Sequence, residues 1–213
     1  HDSLNMLDNI GAWADMYQKF RNEEITEKDV KKSWLTYYFF AETGISYERL
    51  QALGFCMSLI PIFKKLYKKK EDFTAALKRH MVFYNTEAVF GSVINGITIA
   101  MEEQKAKGAP IDDETITSVK SGLMGPMAGV GDSLDWATFK PIIFALGATL
   151  SAQGSPIGCF VLLLLPIIQM IIGTNFAAFG YRKGRSSVRS ILGSGKIQQL
   201  LTAASALGIY MMG

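Results

Sequence analysis

The chain has 213 residues, 49% of them hydrophobic, and a formal net charge of +3. This content is too apolar for an ordinary soluble domain, although charged residues are frequent outside two apolar regions at 141–179 and 200–213. The net charge does not by itself decide for or against nucleic acid. The basic clusters, however, lie beside apolar residues at helix edges or directly after the longest apolar run, which favours a membrane surface over nucleic acid.

These patterns predict an all-α membrane protein with N-terminal amphipathic helices, a glycine-rich re-entrant hairpin and transmembrane helices. We divide the chain into an N-terminal arm extension, an amphipathic arm with the start of a core, the core itself with its hairpin and transmembrane helix, and a basic connection into a second, apparently truncated membrane segment. The boundaries are 1–25, 26–110, 111–181 and 182–213.

Amphipathic helices are predicted in the first half of the chain. Thr26 followed by Asp29 approximates a capping box at the start of the first of them. We expect Ser46 to cap the second helix and Pro61 to kink it, because proline removes one backbone donor. Apolar residues at helical spacing place these helices at 27–42, from 46 through 63, and at 71–84, and a short apolar stretch follows at 88–101.

The segment 122–131 is unusually rich in glycine and is predicted to form a poor continuous helix. Lipid cannot satisfy the polar groups of a broken backbone, so such a segment must be buried in protein or line a cavity. An apolar run at 141–152, a turn at 153–155 and a span at 156–179 complete the predicted hairpin. The residues to which we assign a structural role are Gly122, Gly125, Pro126, Gly129 and Gly131.

A polar set follows the glycines and is our main candidate for a substrate site or a contact with a partner subunit. Charged groups at membrane depth are unfavourable unless they are paired or hydrated, so they mark functional positions. A carboxylate can accept sugar hydroxyl groups while an indole ring packs on the apolar face of the sugar. The alternative is a local role, as helix caps or as an internal ion pair. The set consists of Asp132, Ser133, Asp135, Trp136 and Lys140.

Other polar residues are weaker candidates. His80 has no acid or base partner at suitable sequence spacing, so we predict a surface or interface histidine rather than a phosphoacceptor. Glu102 and Glu103 have the pattern of a solvated helix end, whereas Asn95 is predicted to be a buried hydrogen-bonding residue. The glycine-rich segment lacks the ending of a phosphate-binding loop, and no metal-ligand spacing or cofactor motif is found in the sequence.

Three stretches resemble the IID component of the mannose, fructose and sorbose family of the bacterial phosphotransferase system. They are residues 47–55, residues 78–80 with Asn85 and Thr86, and the central motif 111–113 and 122–132 with Trp136 and Pro141. The resemblance extends from about residue 25 to the end of the given sequence. Such a subunit normally continues further, so the given chain is expected to hold only part of the second membrane domain.

The resemblance implies a non-catalytic subunit of the bacterial plasma membrane, with its basic clusters on the cytoplasmic face. It would pair with a IIC subunit. It would carry out no phosphoryl transfer itself, since IIA and IIB carry the phosphoryl group and phosphorylate the incoming mannose-type hexose or amino sugar. Membrane lipid and a trimer of IIC and IID pairs are further implied partners. Additional weaker site candidates are Ser46, Glu48, Arg49, Asn85 and Asn95.

This chain departs from the family pattern at three places, which bears on its sugar specificity. Asp135 replaces a common aromatic residue, Lys140 replaces arginine, and Ile45 with Ser46 replaces a Trp-Asn pair. The sequence leaves two alternatives to a sugar-transport subunit. One is a scaffold that docks IIC and IIB without transporting sugar, and the other is a soluble helical lipid- or cofactor-binding domain, which the apolar run at 156–179 disfavours.

Overall fold

The computed structural model of the chain describes residues 24–194, with side chains described up to residue 186. Within this part, helices are joined by turns and by isolated β-bridges between Ser46, Leu50 and Tyr84, which confirms the predicted all-α class. The arm extension before residue 24 and the membrane segment predicted at 200–213 lie outside the described residues. In chain order the elements are α1 (Glu27–Phe40), α2 (Ala52–Leu66), α3 (Lys70–His80), α4 (Ser92–Ala106), α5 (Asp113–Gly131), a π-helical segment (Asp132–Phe139), α6 (Lys140–Ala152) and α7 (Ile157–Ser194).

Helix α1 begins where the sequence predicts it. The Thr26 hydroxyl accepts the Asp29 amide N–H at 3.3 Å, and the Asp29 carboxylate accepts the Thr26 amide N–H at 2.9 Å, which forms the predicted capping box. Val30, Trp34 and Tyr37 then form its buried face. The amphipathic pattern and the cap therefore define this helix together.

Helix α2 begins six residues later than predicted, so the assignment of Ser46 as its cap is wrong. The Ser46 hydroxyl instead accepts the Arg49 amide N–H within a turn, at 3.2 Å. Leu50 has a φ of 46° in this turn, a left-handed conformation that ends any helix starting before it. The helix starts only at Ala52, after the chain has reversed.

The part of α7 from Gln169 to Gly184 packs against α1 and α4. The Tyr181 hydroxyl lies 2.9 Å from the carbonyl oxygen of Ile25, just before α1, and the Tyr38 hydroxyl donates to Gln169 at 2.9 Å, so α1 runs antiparallel to α7. Helix α4 approaches α7 so closely at Gly96 that a Cβ atom there would overlap the carbonyl oxygen of Ala177. Small residues let helix backbones approach in this way, as is common between membrane helices.

The beginning of α7 pairs with α6 to form the predicted hairpin, with the turn at 153–156. Gly147 faces Gly158 and the side chain of Leu162 across this pair. By length and composition, Ile157–Ser186 is the one described helix able to cross a membrane, and only 22% of its most apolar window is buried. Apolar side chains exposed on the hairpin include Ile142, Phe144, Phe160, Leu163 and Leu164.

The prediction of a broken backbone at 122–131 is wrong, because these residues continue α5 as a helix up to Gly131. A helix keeps its backbone groups hydrogen-bonded internally, and burial of Leu123 and Met124 offsets the poor helix propensity of the glycines. Gly131 is required for packing, since a Cβ atom there would overlap the Glu87 side chain. The irregular backbone occurs immediately afterwards, in the π-helical segment.

A buried polar cluster around Glu102 contradicts two further predictions. His80 and Glu102 are fully buried, and His80 Nε2 donates to Glu102 at 2.8 Å, so His80 is not a surface histidine. Burial lowers the pKa of His80, while its hydrogen bond to Glu102 opposes that change. Glu103 is also buried, where it accepts the Tyr181 hydroxyl at 2.8 Å. These partners come from elements far apart in sequence, which local spacing cannot reveal.

Lys120 is a buried cation with no hydrogen-bond partner for its ammonium group among the described residues. Its Nζ lies 5.4 Å from the ring centroid of Phe55 and 5.5 Å from that of Tyr84. Burial lowers the pKa of Lys120 from 10.5 to about 8. Above pH 10.5 Lys120 is neutral in both the folded and the unfolded state and does not lower the free energy of unfolding. As the pH falls from there through about 8, the unfolded state binds a proton before the folded state does, so the free energy of unfolding decreases.

We expect Lys120→Met to stabilise the protein near pH 7, by at most about 3 kcal/mol, since one pKa unit corresponds to about 1.4 kcal/mol. The gain should shrink as the pH rises above 8, where native Lys120 becomes neutral. Thermal unfolding of the purified membrane complex at neutral and alkaline pH measures both effects, with the exposed Lys78→Met as the control. An equal gain at the two pH values contradicts this explanation.

Candidate functional site

A cavity of about 380 Å³ opens where α1, the segment before α4, the π-helical segment and α7 meet. It lies where the part of α7 that packs on α1 meets the exposed hairpin. Half of the ten candidate substrate or contact residues lie on its wall, although the sequence spreads them over more than 50 positions. These residues are Asn85, Asp132, Asp135, Trp136 and Lys140.

The π-helical segment determines how the polar set is presented. The Thr138 hydroxyl donates to the Ser133 carbonyl at 2.8 Å, and Lys140 Nζ donates to Asp135 at 2.9 Å, so both contacts join residues five positions apart. In a regular α-helix the residues that face each other are three and four positions apart. The wider turn therefore accompanies the pairing of Asp135 with Lys140. π-Helical turns are frequent at functional sites.

Asp135 is the most buried charged group of the cavity, with only 3% of its surface exposed. Besides Lys140, its carboxylate accepts the amide group of Gln169, whose Nε2 lies 2.8 and 2.9 Å from the two oxygens. A buried carboxylate needs such partners, because desolvation without them is strongly unfavourable. The internal ion pair that the sequence left open as an alternative is thus present, and it forms on the wall of the cavity.

Trp136 presents an aromatic surface beside this pair. Its side chain is 60% exposed, and Lys140 Nζ lies 3.3 Å from the centroid of its ring, in a cation–π contact. Lys140 therefore contacts Asp135 and the indole together. An exposed ring next to a held carboxylate is a suitable surface for a sugar, whose two faces differ in polarity.

The opposite wall carries further acidic and amide groups. The Glu87 carboxylate accepts the amide N–H groups of Val89 at 2.8 Å and Phe90 at 2.7 Å. Burial raises the pKa of Glu87, and these two hydrogen bonds oppose the rise. Gln51 donates to Glu42 at 2.8 Å. This wall thus offers carboxylate oxygens that can accept hydroxyl groups of a bound ligand.

The other candidates lie elsewhere. Ser133 is on the π-helical segment but not on the cavity wall, and Arg49 lines a different surface depression. Ser46 and Glu48 belong to the exposed turn before α2. Asn95 is buried in α4, as predicted, and donates to the Ser58 hydroxyl at 3.3 Å. These residues therefore lie outside the cavity that the other five candidates line.

Sequence reasoning missed several residues of the wall. Gln169 is the clearest omission, because it is an amide within the apolar run 156–179 and polar residues in such runs usually have a function. Tyr38, Glu42 and Gln51 belong to helices or turns whose orientation towards the hairpin no local pattern defines. Within residues 24–194, no group of three histidine, cysteine or acidic residues is placed to hold a metal ion.

Comparisons with known proteins agree with this architecture. A model of the mannose/fructose/sorbose family IID component of the phosphotransferase system (PTS) matches residues 24–213. The chain is 41% identical over 191 residues to the PTS system sorbose-specific EIID component of Lacticaseibacillus casei, covering 89% of this chain and 67% of that protein. It is 38% identical over 202 residues to the PTS system mannose-specific EIID component of Escherichia coli strain K12, covering 94% of this chain and 71% of that protein.

A solved structure shares the fold. The chain aligns with one chain of the mannose transporter ManYZ in complex with microcin E492 with a TM-score of 0.82 and 39% sequence identity, covering 89% of this chain and 69% of that chain. The family model and the relatives confirm the resemblance inferred from the central glycine-rich motif. The chain belongs to the mannose/fructose/sorbose family of PTS IID components, and it is a membrane subunit of a PTS sugar transporter.

Proposed function

We propose that this subunit pairs with a IIC subunit to translocate a mannose-type hexose or amino sugar, and that the sugar contacts this chain in the cavity beside Asp135 and Trp136. IIB, supplied with phosphoryl groups by IIA, phosphorylates the sugar during uptake, and the present chain performs no phosphoryl transfer. The observation that carries the site proposal is the buried Asp135 carboxylate held next to the exposed Trp136 ring.

The physical argument for a sugar rests on this combination. Carboxylate oxygens accept hydroxyl hydrogen bonds, and the indole ring covers apolar C–H groups. The cavity of about 380 Å³ is of the size of small-molecule sites, and Lys140 and Asn85 add donors to its wall. The exposed apolar surface of the hairpin beside the cavity supports the proposal that the IIC subunit completes the site.

The same proposal includes the arrangement in the membrane. The exposed apolar side chains of the hairpin contact lipid and the IIC subunit, and pairs of IIC and IID assemble as a trimer. Arg182, Lys183 and Arg185 follow the apolar part of α7, which supports placing that end on the cytoplasmic side of the bacterial plasma membrane.

We expect Asp135→Asn to raise the KM for sugar uptake by about 10-fold or more, because hydrogen bonds to charged groups contribute about 1.5–3 kcal/mol. Trp136→Ala should raise it by about 2- to 10-fold, because an aromatic packing contact contributes about 0.5–1.5 kcal/mol beyond its buried area. Uptake is measured in vesicles that contain the complex of this chain with its IIC subunit, supplied with the soluble phosphotransfer components. Radiolabelled mannose and glucosamine serve as probes. Phe139→Ala is the matched control, since Phe139 is an exposed aromatic residue of the same π-helical segment that lies off the cavity wall.

The alternative of a non-transporting scaffold gives the opposite pattern. In that case Asp135→Asn and Trp136→Ala leave the KM of assembled complexes unchanged, and any loss of uptake follows the amount of IIC and IIB that is recovered with the chain. Quantifying the complex in the same vesicles separates the two functions. An unchanged KM at normal assembly would reject the proposed sugar contact.

A further inference from the structure

Gln169 has an unusual environment for a residue of an apolar helix. It lies within the span Ile157–Ser186, and only 7% of its surface is exposed. Both ends of its amide are hydrogen-bonded, one to Asp135 and the other to Tyr38. It thereby connects α7 with the π-helical segment and with α1.

The direction of this amide follows from its partners. A carboxylate accepts hydrogen bonds only, so the Gln169 amino group must face Asp135, at 2.8 and 2.9 Å from its oxygens. The Gln169 carbonyl then accepts the Tyr38 hydroxyl at 2.9 Å. A reversed amide would place its carbonyl oxygen against the carboxylate. Tyr38 and Asp135 therefore define one orientation between them.

The main effect of these hydrogen bonds is on the orientation of Asp135. Lys140 neutralises the Asp135 carboxylate from one side, but its long side chain also follows the Trp136 ring. Gln169, in the part of α7 that packs on α1, contacts both oxygens of the Asp135 carboxylate. These two contacts restrain rotation of the carboxylate. The Gln169 amino group is directed at Asp135 and its carbonyl at Tyr38, so the contact with Asp135 is the one through which this side chain can orient a sugar-binding carboxylate.

We propose that Gln169 is a positioning residue that holds Asp135 in the orientation required for sugar binding. This inference rests on the proposed function, since it assumes that Asp135 contacts the sugar. It predicts that the hydrogen-bond donor at position 169, and not merely a side chain of the right size, determines the affinity.

Gln169→Glu tests the donor directly, because the two side chains have almost the same shape. A protonated carboxyl group can donate to Asp135 as the amide does, whereas an ionised one repels it. We expect the KM of Gln169→Glu, divided by the native KM at the same pH, to stay near 1 while the introduced acid is protonated and to rise by about 10-fold or more once it is ionised.

Two further variants separate positioning from packing. Gln169→Leu removes the donor at all pH values, so its KM should be raised by about 10-fold or more without the pH dependence, while kcat changes by less than about threefold. Asn175→Leu makes the same kind of change at an exposed position of α7 and should keep the native KM. The amount of assembled complex, measured in the same vesicles with mannose and glucosamine, corrects for folding.

The outcomes distinguish this inference from the function on which it rests. If Asp135→Asn raises the KM but Gln169→Glu and Gln169→Leu do not, the sugar contact stands and the positioning role is overturned. If Asp135→Asn has no effect on the KM, the sugar contact itself fails, and any effect of Gln169 variants then arises by another route and also overturns the inference. A pH-dependent KM in Gln169→Glu together with a raised KM in Asp135→Asn is the expected result.

Discussion

Replacing Glu102 with alanine is expected to destabilise the subunit by about 3–5 kcal/mol, the range found when one partner of a buried ion pair is removed. Glu102 accepts His80 at 2.8 Å and Arg79 at 3.1 Å, and it also accepts the Tyr67 hydroxyl. All three donors would lose this acceptor inside the bundle of α2, α3 and α4. The amount of folded subunit in membranes and the thermal midpoint of the purified complex measure the effect.

A control and a rescue make this prediction specific. Glu114→Ala removes an exposed carboxylate from the first turn of α5 and should change stability by less than about 0.5 kcal/mol. The double variant Arg79→Met with Glu102→Leu should recover part of the loss, because it also removes the buried arginine, which would otherwise keep only its contact with Asp113 at 2.8 Å. If Glu102→Ala matched Glu114→Ala in stability, the cluster would not support the fold as described.

Gly96→Ala is the second substitution for which we expect a large effect. The added methyl group would overlap the backbone of α7 at Ala177 and Tyr181, which cannot rotate away as a side chain can. Overpacking of this kind typically destabilises by about 1–3 kcal/mol and sometimes more. We expect a lower thermal midpoint and reduced recovery of the subunit with IIC, since α4 must move away from α7.

Gly125→Ala is the matched comparison for that experiment. Gly125 is also a helical glycine, but a Cβ atom there would meet no atom within 4 Å. The change should leave stability unchanged or raise it by about 0.5–1 kcal/mol, the usual difference in helix propensity. Equal losses for the two variants would show that helix propensity or partner contacts, and not the α4–α7 approach, explain the effect.

The parts of the fold that the sequence predicts well are those that depend on neighbouring residues. The capping box at Thr26 and the hairpin turn at 153–156 are examples, because each needs only a few adjacent side chains or glycines. The glycine-rich stretch 122–131 is helical although its local sequence predicts a broken backbone. Its local propensity is poor, but burial within the helix bundle and the requirement for internal hydrogen bonds dominate.

The candidate site shows the same limit. The polar set after the glycines is contiguous in sequence, so Asp135, Trp136 and Lys140 could be selected by their types and spacing alone. Their partner Gln169 comes from the following helix, 34 residues after Asp135, and the His80–Glu102 contact joins residues 22 apart. Only tertiary packing brings such pairs together, and no periodicity within one element encodes it.

Pro166 is the tenth residue of α7 and lies three residues before Gln169, between the hairpin part of the helix and the part packed on α1. Because proline has no amide N–H, the carbonyl of Leu162 lacks its usual helical partner, and bending at this point is comparatively easy. The start of α7 at Ile157 is about 14 Å away along the helix axis, so a bend of about 10° would displace it by about 2 Å. A bend at Pro166 would therefore move the hairpin relative to the part of α7 that packs on α1 and would change the geometry of the cavity at its base.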